Sequence, residues 1–411
     1  MEQFPRTSSP TPPKPGPPCI RDGQRITGYS QRSVALRTDL WISFSGVKGW
    51  LLLQYPTTGE EVQEQAEGLD VNLSSNLASF YDLNITAVQA GIQPGKEDMD
   101  FWIVFAQEGV FRLYLREKTE TTLTLLKVWE DLQDHGFSRL AALRPSVTGD
   151  IAVTFDNRLA YLTEEPEGRP GELAVQADAV EIGRCLGELH VLSQDLLPSW
   201  QDILGHYRPV ESSLTALRED LELFRTMAEH RLYPTGFDLL FLKIYDEAAG
   251  IADQSLDLLA EFPLDQLDNE PCWSGLLLRD CHGRTFRVKD DGTPRLPYLD
   301  RITGGLCVRD LVTLLDNVGE YTNWSVALAT RVLDAYRGER CLYQEEIELM
   351  YGLGIFPRKV WEVGYEYYKG RRNQSEPAAA ETLRQEWEKM AKRREYWRLL
   401  LGDELGYENR H

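Results

Sequence analysis

Apolar residues follow two regimes along this chain, short β-type runs in the first part and helical spacing in the rest. Residues 101–106 and 110–115 are apolar runs around Gln107-Glu108-Gly109, and 151–155 and 158–163 flank Asp156-Asn157. Both arrangements predict β-hairpins, because turn residues separate runs of strand length. Between them, 121–135 carries Leu123, Leu126, Trp129 and Leu132 at helical spacing, with Gly136 as a stop. Earlier, Leu40-Trp41-Ile42-Ser43-Phe44 and Trp50-Leu51-Leu52-Leu53 predict a further hairpin around 46–49, either an added edge to this unit or a separate element.

Beyond Glu165 the pattern changes. A Pro- and Gly-rich stretch, Pro166-Glu167-Gly168-Arg169-Pro170-Gly171, reads as a hinge, and helices follow. Val180, Gly183, Leu186, Gly187 and His190 fall on adjoining turns of the first; His190 reads as a hydrogen-bonded packing residue, since no acid or nucleophile accompanies it in sequence. The next two span 211–229, with Leu214, Leu217, Leu221 and Phe224 as a core stripe, and 237–262. A last helix, 378–401, carries Leu383, Trp387, Met390, Trp397 and Leu401 on a stripe interrupted by Arg394. It is expected to pack across the helical part with Arg394 at the rim; a self-association surface is the alternative. Strands first and helices afterwards predict an α+β protein. Its expected parts are a disordered Pro/Ser-rich tail (1–33), a small lobe with an N-terminal extension (34–164) and a mainly helical lobe (165–411).

The stretch with most chemical content is Cys281-His282-Gly283-Arg284, followed by an Asp290-Asp291-Gly292 turn, then Tyr298-Leu299-Asp300-Arg301 and Val308-Arg309-Asp310-Leu311. It predicts a strand ending in His-Gly, a polar loop, a tight turn, a second strand and a helix opened by Asp310.

These residues resemble the His-Gly-Asp and Ile-Asp-Phe-Asp core of the aminoglycoside phosphotransferase superfamily, and within it the CotS-type spore coat proteins. Three more segments extend the resemblance in the same order: Tyr161-Leu162-Thr163-Glu164 to the hinge strand, Gly183 through His190 to the Leu-Gly-x-Leu-His helix, and Phe356-Pro357 through Tyr368 to the Phe-Pro…Tyr-Tyr segment. The resemblance implies a two-lobed kinase-like fold, with antiparallel sheet plus helix in the small lobe. It further implies that His282 and Asp310 brace the catalytic loop through hydrogen bonds to backbone.

Against that pattern, the positions of the chemistry are altered. Where the resemblance expects the catalytic Asp stands Arg284, which is protonated at any relevant pH and cannot act as a base. The following loop is about three residues short and lacks the metal-binding Asn, by the same comparison. Tyr298 aligns with the magnesium-binding Asp, and Asp300 with the second, less critical acid; a neutral phenol is a poor ligand for a hard cation. Tyr114 takes the place of the phosphate-pairing Lys, with Arg112 and Arg116 on the same strand face, and Glu130 stands as the relic of its acidic partner. Phosphoryl transfer relies on positioned cations and a base, so the expectation is a pseudokinase without cofactor. The alternative is a divergent phosphotransferase using ATP and magnesium, with Asp280, Asp290 or Asp291 working in a rearranged loop.

Composition narrows the partners. A net charge of −21 over 411 residues disfavours nucleic acid and anionic membranes, and no apolar run reaches membrane-span length. Six cysteines lack Cys-x-x-Cys or zinc spacing, so reduced, mostly buried thiols are expected, with Cys19 in the tail available for crosslinking in an oxidised assembly. Between residues 357 and 398 there are 11 Lys or Arg against 7 Asp or Glu. That local excess reads as a solvated helix face, or as a docking surface for an acidic partner or another copy. By resemblance, the expected role is a binding or assembly component of a bacterial spore coat, made in the cytoplasm, with other coat proteins or its own copies as partners.

Overall fold

The computed structural model describes residues 39–44, 47–52, 71–91, 101–155, 157–200, 204, 210–262, 264, 272–279, 281–299, 302–370 and 374–405. The expected tail, Cys19, Asp280, Asp300 and Arg301 lie outside these residues. β1 (Asp39–Phe44) and β2 (Val47–Leu52) pair antiparallel as a two-stranded sheet, the hairpin expected there.

Next come α1 (Val71–Tyr81), β3 (Ile85–Gly91), β4 (Phe101–Ala106), β5 (Gly109–Glu117), α2 (Glu120–Asp134), β6 (Leu143–Arg144), β7 (Val153–Phe155) and β8 (Arg158–Glu164). The strands make an antiparallel sheet in the order β3-β4-β5-β8-β6, with β7 also on β8. Both predicted hairpins are present, and Asn157 supplies the left-handed residue (φ 61°) that closes the second. α2 starts where Thr119 accepts a hydrogen bond from the Thr122 N–H at 3.2 Å and stops at Gly136, φ 89°. Its buried stripe includes Leu126, Val128, Trp129 and Leu132; Leu123, expected on that stripe, is exposed instead in the first turn, where the neighbouring Thr124 is buried.

Strand alternation divides the sheet's side chains between two cores. Val104, Phe111, Leu113, Leu115, Ala160 and Leu162 pack on Leu77 and Tyr81 of α1, outside the sheet. Phe101, Tyr114 and Tyr161 face the other way, onto Trp129 and a core that continues into the helical lobe.

That lobe contains β9 (Arg169–Pro170), α3 (Gln176–Trp200), α4 (Val210–Glu229), α5 (Gly236–Ala260), β10 (Ser274–Leu277), a single 3-10 turn (Gly283–Thr285), β11 (Arg287–Val288), β12 (Pro294–Arg295) and β13 (Thr303–Leu306). α6 (Val308–Tyr321), α7 (Val326–Arg337), α8 (Gln344–Ile355), α9 (Arg358–Tyr368) and α10 (Glu376–Leu405) complete it. The last helix packs across the lobe as its stripe predicts: Leu383, Met390, Trp397 and Leu401 are buried, and Arg394 lies at the rim of a cavity of about 300 Å³. The cation anchoring it is the neighbouring Arg393, which binds Asp316 and donates to the Phe356 carbonyl at 2.8 Å. Among the described residues no helix is long and apolar enough to cross a membrane.

The lobes are stitched together beside the hinge. Leu296 N–H donates to the Arg139 carbonyl (2.7 Å), Ala141 N–H to the Leu296 carbonyl (2.9 Å), and Arg139 pairs bidentately with Glu188 of α3 (2.6 and 2.7 Å). The Trp200 indole N–H reaches Asp131 of α2 at 2.8 Å. Such paired, partly buried contacts hold the two halves in one arrangement.

Candidate functional site between the lobes

The loop after β10 is held from beneath by α6. Asp310, buried in the first turn of that helix, accepts hydrogen bonds from the backbone N–H groups of Leu278 (2.6 Å) and Arg279 (3.0 Å). Charge-assisted bonds to two consecutive amides fix the chain direction at the point where Arg279 turns with φ 62°. Asn317, two turns further along α6, donates to the Cys281 carbonyl at 3.2 Å. Asp310 is therefore a brace, while His282 lies exposed beyond the end of β10 at Leu277. The histidine beside Asp310 is His190 of α3, fully buried, with Nε2 3.8 Å from the carboxylate and Nδ1 2.8 Å from the Tyr336 hydroxyl. Burial works against protonation of His190, but Cys307 and Asp310 outweigh it and push the pKa up to about 9.

Arg284 sits exposed in the 3-10 turn. Beyond it, β11 pairs with β12 across the predicted Asp-Asp-Gly turn, where Gly292 has φ 83°, and with β9 from the hinge. The hinge crosses this hairpin so closely that glycine is required: Gly168 has φ 108°, and a Cβ there would lie 2.3 Å from the Val288 carbonyl oxygen.

Above the hairpin, the sheet's inner face carries charge and aromatic rings together. Tyr114 is buried and stacks on Tyr161, its cross-strand partner, with ring centroids 5.0 Å apart and an interplanar angle of 16°. Arg112 and Arg116 flank it on the same face, Arg116 at 5.9 Å over its ring and Arg112 at 4.8 Å over Phe101. Arg112 is 4 % exposed and makes a bidentate pair with Glu165 at the end of β8, the Nη2 bond being 2.6 Å. Burial opposes the charge on Arg112, and the Glu165 carboxylate more than compensates, holding its pKa above the ordinary arginine value.

Tyr114 and Tyr298 feel each other electrostatically, and burial pushes the Tyr114 phenol up to about 12. Tyr298 is itself buried. Arg287 stands under the same group and its pKa is lowered, first by burial and then by Arg112. The structure thus brings Tyr114 and Tyr298 together, and places Arg284 and His282 at the loop surface. Glu130 remains on α2, 3.9 Å from Lys127; the acid that serves the cation of β5 is Glu165. Sequence reasoning missed that pair, although an arginine within the apolar run Val110-Phe111-Arg112-Leu113-Tyr114-Leu115 signals a need for a buried acid.

Comparison with known proteins supports the fold. No protein-family model matches the chain, and no curated protein sequence does. Among solved structures, it is similar to an aminoglycoside phosphotransferase from Alicyclobacillus acidocaldarius subsp. acidocaldarius DSM 446, at 17% identity and a TM-score of 0.65 over 86% of this chain and 98% of that one. It is similar also to spectinomycin phosphotransferase APH(9)-Ia in complex with ADP and spectinomycin, at 15% identity and a TM-score of 0.55 over 76% of this chain and 93% of that one. The chain therefore has the two-lobed, α+β kinase-like phosphotransferase fold. At these identities the likeness speaks for architecture, and the chemistry must be argued from this chain's own residues.

Proposed function

We propose that this chain is a pseudokinase: a kinase-fold protein that transfers no phosphate and acts as a binding or assembly component, by its motif resemblance a component of the bacterial spore coat. The observation that carries the reading is the filled space beneath the sheet. Tyr114, in the position that the resemblance gives to the phosphate-pairing lysine, is stacked and buried, and the Arg112–Glu165 pair lies alongside it. A phenol cannot supply the positive charge that phosphoryl transfer requires at that place. Arg284 is a guanidinium at the position where the resemblance expects a base. On this reading no cofactor is needed, and the partners are proteins, either other coat components or further copies of the chain.

A second reading, a divergent phosphotransferase using ATP and magnesium, draws on one specific observation. Asp310 braces Leu278 and Arg279, the two residues directly before Asp280 in sequence, rather than the residues directly before Arg284. On this reading the base is Asp280, the next residue in sequence. The two readings separate on melting in the presence of ATP and Mg²⁺. A nucleotide-dependent enzyme gains about 2.7 kcal/mol at ligand a hundredfold above its Kd; the pseudokinase reading expects a flat response. Phosphate transfer from ATP by the unaltered protein overturns it.

A further inference from the structure

The cavity of about 300 Å³ beside the last helix is lined only by residues of α5, α8 and α10, none of them from the cleft between the lobes. Its volume lies at the lower end of small-molecule sites, which span about 300–1,000 Å³. α5 and α10 run side by side in one direction. At their starts Glu376 accepts from the Phe237 N–H at 2.8 Å, 139 positions apart, and further on Arg394 lies 3.5 Å from Gln254, 140 positions apart. A constant offset puts Glu247 level with Trp387, Ile251 with Ala391, and Gln254 with Arg394. Trp387, Ala391, Arg394 and Arg398 form one stripe at spacings of four, three and four, next to the buried Met390 and Trp397. The methyl group of Ala391 leaves the space opposite Ile251 unfilled, and the cavity opens there.

The unmatched charges of this cavity lie at its two ends. Glu247 is exposed and pairs with no cation among the described residues, and the half-buried Arg394 pairs with no carboxylate among them. Arg398 is already matched by Glu395, at 2.7 and 2.8 Å. Seven positions separate Glu247 from Gln254, the level of Arg394, so the two charges are set about 10 Å apart along the helices. Between them the lining is apolar: Ile251 and Met390 are buried, and the rings of Trp387 and Tyr351 are half-buried. Burial holds the Tyr351 phenol above its ordinary pKa against the pull of Arg394 and Arg398, so a neutral hydroxyl stands at the cationic end.

We infer that this cavity binds a small ω-amino carboxylate, with its ammonium at Glu247, its carboxylate at Arg394 and its apolar chain along Ile251, Met390 and Trp387. A guanidinium pairs with a carboxylate through directed N–H donors. At the other end the ammonium meets both a carboxylate and the face of an indole at the same level. Methylene groups lying over the apolar lining are removed from water, which a ligand with adjacent charges does not achieve. The site is separate from the cleft and does not depend on whether nucleotide enters it.

The test titrates the full chain calorimetrically with ε-aminocaproate, and with three probes that lack one feature each: caproate without the ammonium, hexylamine without the carboxylate, and glycine without the spacer. Saturable binding of ε-aminocaproate is expected, with each of the other three at least roughly tenfold weaker. Arg394→Met and Glu247→Gln, neither of which breaks an ion pair among the described residues, are each expected to weaken binding at least roughly tenfold while melting like the unaltered protein. Ala391→Leu, which fills the space opposite Ile251, is expected to abolish binding without lowering Tm. The inference is overturned by the absence of saturable binding, by caproate or hexylamine binding as tightly as ε-aminocaproate, or by unchanged affinity in Arg394→Met. Binding retained in Ala391→Leu places the ligand elsewhere and overturns it equally.

Discussion

The sharpest energetic statement concerns the Arg112–Glu165 pair. The two side chains are 5 % and 25 % exposed, so the guanidinium has little access to water if its partner is neutralised. Glu165→Gln keeps size and shape but leaves Arg112 buried with a neutral amide. Breaking a buried pair on one side costs about 3–5 kcal/mol. At about 2.1 cal/mol/K per residue, 411 residues have an unfolding entropy of about 0.9 kcal/mol/K, so Tm should fall by about 3–6 °C. Arg112→Met should cost less, because Glu165 can turn to solvent, and the double variant Arg112→Met/Glu165→Gln should return close to the unaltered protein. Differential scanning fluorimetry on the four proteins measures the cycle. A drop below about 1 °C for Glu165→Gln, the behaviour of an exposed pair, would refute the claim that this charge is buried and compensated by one residue.

Two further predictions follow from the frame beneath the cleft. The pKa of His190 is raised from 6.5 to about 9, so its contribution to stability is complete below about pH 6.5 and disappears as pH rises through about 9. Melting across that range should decline more steeply in the unaltered protein than in Asp310→Asn, which removes the charge 3.8 Å from the imidazole; parallel curves would exclude this origin. Gly168→Ala imposes a left-handed conformation on a residue with a side chain and drives Cβ into the Val288 carbonyl. The conformation alone should cost about 1–3 kcal/mol in chemical denaturation, and a neutral effect would contradict the hinge crossing.

Local signals in the sequence were enough where an element's own residues decide its form. The hairpins closed by Gln107-Glu108-Gly109 and Asn157, the helix between Thr119 and Gly136, and the long C-terminal stripe all stand where their patterns place them. Failures came where partners lie far apart in the chain. Leu123 fits the helical period of α2 yet is exposed, because the neighbouring sheet, and not the helix, selects the buried face. His282 carried the motif, but the imidazole at Asp310 comes from His190, 120 positions earlier by residue number. Arg112 and Glu165 are separated by 53 positions, beyond the range of any periodic signal. α7 and α8 were not predicted at all; in α8 the buried positions Glu346, Ile347, Leu349, Met350, Gly352, Gly354 and Ile355 lie around the helix rather than on one stripe, whereas α7 carries a stripe of Leu328, Ala329, Val332, Leu333 and Tyr336 that the sequence reading passed over.

The altered positions around the cleft depend on one another, and this bears on how the two functional readings should be weighed. Tyr114 is held by Tyr161, Arg112 by Glu165, and both lie over Arg287 and Tyr298. A lysine at 114 would not recreate a phosphate-pairing cation: it would place an ammonium in a site 1 % exposed, beside a guanidinium whose partner carboxylate, Glu165, is already bound in both directions. Desolvation and like charge would both push that amine toward its neutral form. A charged lysine at 114 would therefore require Arg112, Glu165 and Arg287 to change along with Tyr114. The brace below is independent of this set, since Asp310 and Asn317 act on backbone atoms of Leu278, Arg279 and Cys281. Loop frame and cleft filling can thus diverge, and retention of the frame alone does not argue for catalysis.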